Sequence, residues 1–178
     1  MNLDDLDRAL VRGRTPGPVM LVASDPAWPA RFAARSAAIR DVLGERVRVL
    51  EHVGSTSVPG LLAKPIIDIA LGVDDPEDEP AYLPDLEGLG YDLRVREHGH
   101  RCLRTGEPGD EVNLHCYVPD SEEIVRYLAF RDRLRVSPAD RDAYAALKHS
   151  LAPRDWPDVN AYADAKGPLI REILARSG

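Results

Sequence analysis

A glycine- and hydroxyl-rich break between two apolar runs constrains this chain more than any other stretch. Val47–Val53 ends at Gly54-Ser55-Thr56-Ser57-Val58-Pro59-Gly60, and Lys64-Pro65 then leads into Ile66-Ile67-Asp68-Ile69-Ala70-Leu71. Runs of this length, rich in Val and Ile and bounded by Gly and Pro, predict strands over Val47–Val53 and Pro65–Val73. Free backbone N–H groups and hydroxyls suit phosphate oxygens, and a carboxylate on the neighbouring strand suits the metal ion that travels with them. The segment points to nucleotide chemistry without specifying a reaction.

The remainder alternates between strand and helix signals. Leu3, Leu6 and Leu10 have helical spacing and Gly13–Pro18 breaks it, so residues 1–18 read as a leading arm and 19–178 as one domain. Val19–Ala23 predicts a short strand. Ser24 or Asp25 can cap a helix with Pro26 in its first turn, reaching Leu43 before Gly44 and burying Trp28, Phe32, Ile39 and Val42. An acidic linker, Asp74–Pro80, precedes a helical stretch up to Leu89. Tyr91–Arg96, Arg101–Thr105 and Val112–Val118 predict strands, with Gly106–Asp110 as a hairpin turn. Ser121–Arg135, Pro138–Leu151 and Val159–Arg176 predict helices, the first two opened by Ser121 and Ser137. The outline is α+β: a mixed sheet of about five strands flanked by helices, with a helical C-terminal third. Consecutive hairpin strands exclude a doubly wound fold.

Composition narrows the function. A net charge of −7 over 178 residues argues against wrapping nucleic acid by bulk electrostatics, while leaving room for a local basic pocket. Cys102 and Cys116 are the only cysteines, too few for a disulfide framework or a thiolate zinc site. No run approaches the roughly 20 apolar residues of a membrane span, and the acidic start has no apolar leader, so a cytoplasmic protein without a membrane partner is expected.

The strand, Gly-Ser, spacer and Asp-bearing strand resemble the nucleotidyltransferase superfamily. More specifically, Glu51-His52-Val53-Gly54-Ser55-Thr56-Ser57-Val58-Pro59-Gly60-Leu61 followed by Ala63-Lys64-Pro65-Ile66-Ile67-Asp68-Ile69 is similar to the GrpB family. Leu114-His115, Phe130-Arg131-Asp132-Arg133-Leu134-Arg135, Tyr144 with Leu147-Lys148, and Tyr162 with Lys166 extend the resemblance from about Ser24 to Ala175. It implies a nucleotidyltransferase-like fold. The family's activity is poorly defined, and its likeness to a domain fused to dephospho-CoA kinase implies an accessory role as an alternative.

Candidate residues follow. Gly54 allows close backbone approach, and Ser55, Thr56 and Ser57 offer donors to phosphate, although the same residues also make an ordinary hydroxyl-capped turn. Asp68 is the leading catalytic and metal-binding candidate, because a carboxylate inside an apolar strand needs a cation, donors or a cleft; a salt bridge to arginine is the alternative. Nucleotidyltransferases usually carry a second carboxylate two residues on, and here that position is Ala70. His115, Glu51 or Glu111 could substitute. Asn113, His115 and Tyr117 share one strand face, so His115 could bind metal or act as a base, as could His52; both could equally be buried, hydrogen-bonded histidines. Lys64, Arg94, Arg96, Arg101 and Arg104 are expected near the cleft, with Arg131, Arg135, Lys148 and Lys166 reaching it from helices. Lys64, Arg131 and Lys148 are the chosen phosphate ligands, against surface pairing with Asp132, Asp140 or Asp142. His98 and His100 are expected exposed in a turn. Tyr127, Phe130, Tyr144 and Tyr162 read as packing residues. The expected ligand is Mg2+ (or Mn2+) with ATP or another nucleotide, and the expected activity is transfer of a nucleotidyl group to a small acceptor or nucleotide-driven activation of that acceptor. The alternatives are a non-catalytic nucleotide-binding or folding-accessory module, and a small zinc or iron enzyme using His52, Asp68 and His115.

Overall fold

Two paired strands at one edge of the sheet set the architecture. β1 (Val49–Val53) and β2 (Ile67–Gly72) run antiparallel, with Val53 opposite Asp68 and His52 opposite Ile69. In the computed structural model, which describes residues 19–106, 110–157 and 159–176, β3 (Asp92–Glu97), β4 (His100–Thr105) and β5 (Val112–Tyr117) complete a five-stranded sheet. The order is β1-β2-β5-β4-β3; only the β2–β5 pair is parallel, and β3 bulges between Leu93 and Val95. The mixed sheet predicted from sequence is therefore present. The predicted arm and the centre of the Gly106–Asp110 turn lie outside the described residues.

The period of two gives the sheet two different faces. Leu50, Ile67, Ile69, Leu71, Leu103, Leu114 and Cys116 form one face and pack against α1 (Trp28–Leu43) and α2 (Leu83–Gly88) through Trp28, Ile39, Leu43 and Leu86. Val53, Ala70 and Tyr117 form part of the other and pack against Ile124, Tyr127 and Leu128 of α3 (Glu122–Val136). A helical layer follows: α4 (Pro138–Leu151), α5 (Val159–Ala165) and α6 (Gly167–Ala175). Val58 and Leu61 of the loop after β1 pack into this layer with Leu134, Tyr144 and Ile173. Cys102 and Cys116 are free and buried, and the register turns them to opposite faces.

Local signals explain most boundaries. Ser121 and Ser137 accept hydrogen bonds from the backbone N–H groups of Ile124 and Asp140, capping α3 and α4 as expected. Asp25 accepts from Ala27 N–H at 2.8 Å, and Gly44 at φ 57° ends α1. Three expectations are corrected. The Val19–Ala23 strand is a single bridge, Val22 to Ala63. The side-chain cap expected for α1 is absent, because Ala27 precedes Trp28 and Pro29 rather than Pro26 stands in the first turn, whereas the helical stretch expected up to Leu89 is present as the short α2. The last predicted helix breaks into α5 and α6 at Lys166-Gly167-Pro168, because Pro168 has no N–H and its ring crowds the preceding turn.

Among the described residues no helix is long and apolar enough to cross a membrane. The sheet core should dominate stability. Ile69→Ala, at a fully buried position, is expected to cost roughly 2–5 kcal/mol, and Val125→Ala, on the exposed side of α3, less than about 0.5 kcal/mol; urea unfolding of the two variants measures both.

Candidate functional site

Asp68 points away from the apolar core because its neighbours Ile67 and Ile69 point into it. Gly54, at φ 69°, turns the chain directly past this carboxylate, and a Cβ there would overlap Asp68 Oδ2. Glycine is required by both conformation and space. Asp68 keeps 30% of its side-chain surface open, so it sits at the edge of a cleft. Asn113 Nδ2 donates to Asp68 Oδ1 at 2.8 Å, and Arg104 Nε donates to Asn113 Oδ1 at 2.9 Å. Burial raises the Asp68 pKa, with the Asn113 hydrogen bond and Lys64 opposing the rise.

A cavity of about 150 Å³ lies beside this carboxylate, lined among others by Ser55, Lys64, Asn113, Lys148, Tyr162 and Lys166. Lys148 arrives from α4, 2% exposed, and donates to Ser55 Oγ at 3.1 Å and to the Leu62 carbonyl, with its ammonium 4.9 Å from the Tyr144 ring centre. Lys166 and Lys64 place their ammonium groups 4.5 and 5.6 Å from the Tyr162 ring centre. Burial, reinforced by Lys166, pulls the Lys148 pKa down to about 7. Burial and Lys64 pull Lys166 down to about 8, with Asp68 opposing, and burial also lowers Lys64. Three crowded, partly desolvated ammonium groups around one carboxylate make a cavity poised for an anion.

The expected ligands separate into those at this cavity and those in its framework. Ser55, Lys64, Asp68 and Lys148 meet there, with Gly54 against the Asp68 carboxylate. Thr56 contributes to the wall, but its hydroxyl lies 3.0 Å from His52 Nε2 and donates to the Ile66 carbonyl at 3.2 Å. Ser57 Oγ donates to the Gly54 carbonyl at 2.6 Å, so this hydroxyl holds the loop's shape. Arg131 donates to Glu51 Oε2 and Asp132 Oδ1, both at 2.7 Å, and to the His52 carbonyl at 3.1 Å. Arg135 donates to the Ser57 carbonyl through two nitrogens. These two arginines clamp the loop to α3 and do not line the cavity. Arg96 and Arg101 are engaged by Glu79.

The three-ligand metal site is not assembled. The register puts His52 on the core face, stacked on Phe32 with ring centres 4.8 Å apart, and burial pulls its pKa to about 4. His115 does share the Asp68 face, with Nε2 4.0 Å from Asp68 Oδ1. Its Nδ1 lies 3.3 Å from His100 Nε2, and His100 Nδ1 lies 2.9 Å from Glu97 Oε2. Burial, then His100 and Arg104, pulls the His115 pKa to about 3, too low for a base at neutral pH. His100 is thus drawn onto the sheet, stacked on Tyr117, whereas His98 is 98% exposed as expected. Ala70 is fully buried beneath Tyr117 and Ile124, so the second-carboxylate position is closed by α3. Among the described residues no group of three or more His, Cys, Asp and Glu side chains could hold a metal. A two-metal centre does not fit this donor set.

Two contributors were missed as site residues. Asn113, a face-mate of His115 by period two, is set directly opposite Asp68 by parallel pairing. Lys166 was counted among nine cations; the Gly167-Pro168 pair that breaks the helix beside it was the available signal.

Comparison with known proteins agrees with this architecture. The GrpB protein family matches residues 18–176. A UPF0157 protein of Halalkalibacterium halodurans is 48% identical over 89% of this chain and 82% of its own length. The crystal structure of GrpB from Enterococcus faecalis is 33% identical with a TM-score of 0.77, covering 89% of this chain and 96% of that one. The Cid1 poly(U) polymerase shares the fold at a TM-score of 0.57 and 13% identity, over 82% of this chain and 49% of its own. A dephospho-CoA kinase of Mycolicibacterium paratuberculosis is 31% identical over 90% of this chain, which spans 46% of the kinase. With a nucleotidyltransferase-like sheet and a family match across nearly its whole length, the chain belongs to the GrpB family.

Proposed function

We propose that the cavity beside Asp68 holds the phosphate tail of a nucleotide and that the chain transfers a nucleotidyl group to a small acceptor. The observation that carries the reading is the convergence of the Lys64, Lys148 and Lys166 ammonium groups, with Ser55, on one open cavity bearing a single carboxylate. The lysines would neutralise charge growing on the departing phosphates, and Asp68, with its raised pKa, would accept the proton of the attacking hydroxyl. Asn113 and Arg104 would hold that carboxylate in place.

A second reading, a nucleotide-binding module without catalysis, is favoured by one observation: Ala70 is sealed under α3, where the superfamily's second acid would stand. Pyrophosphate release separates the two. With nucleotide and a small-molecule extract as acceptor source, release that is lost in Asp68→Asn supports transfer. Nucleotide binding with no release supports the module.

Binding should depend on pH in a set direction. Lys148 and Lys166 titrate near 7 and 8 in the free protein, and an anion beside them favours their protonated forms. Proton uptake therefore accompanies binding, and affinity should fall as pH rises from about 7 through 8 to 9. Calorimetric titration of ATP in two buffers of different ionisation enthalpy tests this; identical enthalpies and a pH-independent affinity would refute it.

Lys148 should also tie stability to pH. Its folded pKa of about 7 lies below the ordinary 10.5, so the unfolded chain binds the extra proton between those values and stability rises with pH across that window. Lys148→Met, keeping most of the stem's packing, is expected to flatten this rise in denaturant titrations at pH 7 and 10, and to weaken nucleotide binding about tenfold.

A further inference from the structure

We infer that the cavity accepts polyphosphate tails whatever base they carry and without a divalent cation, its three lysines doing what metal ions do elsewhere. The inference rests on the phosphate reading above and goes beyond it in naming the ligand class and the source of neutralising charge.

The donor set argues first. A metal bridging phosphates needs oxygen ligands with free lone pairs, usually from carboxylates. Asp68 is the one carboxylate among the described cavity-lining residues. Glu51, two residues before the end of β1, is paired with Arg131 at 2.7 Å, and Asn113 Oδ1 already accepts from Arg104. The position two residues beyond Asp68 on the same strand face is Ala70, buried where no solvent or cation reaches.

Charge argues in the same direction. A divalent cation entering beside Asp68 would meet three ammonium groups in a cavity of about 150 Å³, where like charges repel strongly at short range. A phosphate chain entering the same space meets charges of the opposite sign, each on an ammonium group that donates hydrogen bonds. Burial is the main cause of the lowered pKa of Lys64, Lys148 and Lys166, and an anion among them would offset that cost.

Lining argues against recognition of the base. At about 150 Å³ and open to solvent on one side, the cavity has room for phosphoryl groups while the rest of a nucleotide projects outward. The aromatic ring that lines the cavity, Tyr162, has its face occupied by Lys166 and Lys64, so it offers no stacking surface. The nucleoside would lie outside, where this cavity cannot read it.

The test is calorimetry of the full chain with ATP, GTP and inorganic tripolyphosphate, each in EDTA and again in excess Mg2+. All three are expected to bind in EDTA with affinities within a few-fold of one another, and Mg2+ should leave binding unchanged or weaken it by complexing the ligand. Lys166→Ala should weaken all three about tenfold in EDTA, and Lys166→Arg should restore most of the loss. Should the alanine variant fail to fold, Lys64→Gln provides the same reading from a second lysine of the cavity. ATP bound only with Mg2+, or ATP bound and tripolyphosphate not, overturns the inference while the nucleotide reading stands. No binding of any ligand under either condition overturns both.

Discussion

Everything at the cleft turns on how a carboxylate is tolerated on a strand whose neighbours are fully buried. Asp68 survives there because it is neither sealed nor paired off: Asn113 supplies one donor, Arg104 steadies Asn113, and nearly a third of the side chain faces the cavity. Burial still disfavours its charge, and the surrounding lysines are disfavoured in theirs by the same burial. Each sign partly relieves the other, but three cations against one anion leave an imbalance that a ligand can correct. The free protein thus holds electrostatic strain at one spot, a common arrangement where binding or chemistry occurs.

The framework around this spot is built from residues that look functional and act structurally. Arg131 and Arg135, four residues apart on one helix face, direct their guanidiniums at backbone carbonyls of the β1 end and the loop, with Glu51 and Asp132 completing the network. Ser57 and Thr56 spend their hydroxyls inside the loop. The His52 ring, stacked on Phe32, lies against Thr56 from the opposite face of the sheet. The Gly54 loop is therefore held from three directions, which keeps Ser55 and the Lys148 ammonium in fixed relation to Asp68.

Much of the fold was legible because its signals are local. Ser121 and Ser137 cap the helices they precede, Gly44 ends α1, and the alternation of β2 and β5 separates core from cleft without any knowledge of partners. Asp68 stood out for the same reason, as a charged residue at an outward position of a strand otherwise apolar. Spacing could not reveal which cations reach it. Arg131 and Lys148 both lie in family-like motifs on helices, yet one is consumed by Glu51 and the other lines the cavity. That difference depends on what each helix packs against, α3 on β1 and α4 on α3 and α6.

By itself, then, the amino-acid order determined the strand and helix identities, the two-faced sheet and the glycine that must pass Asp68, since each follows from period, capping or φ. Tertiary structure alone decided that His52 faces away from Asp68, because a strand's sides acquire meaning only once register joins it to a neighbour. It also decided that Ala70 is roofed by α3, and that Lys166 swings in where Pro168 interrupts the helix. Those choices depend on long-range packing, which sets the distance between charges, and distance determines whether four ionisable groups form a site or merely a surface.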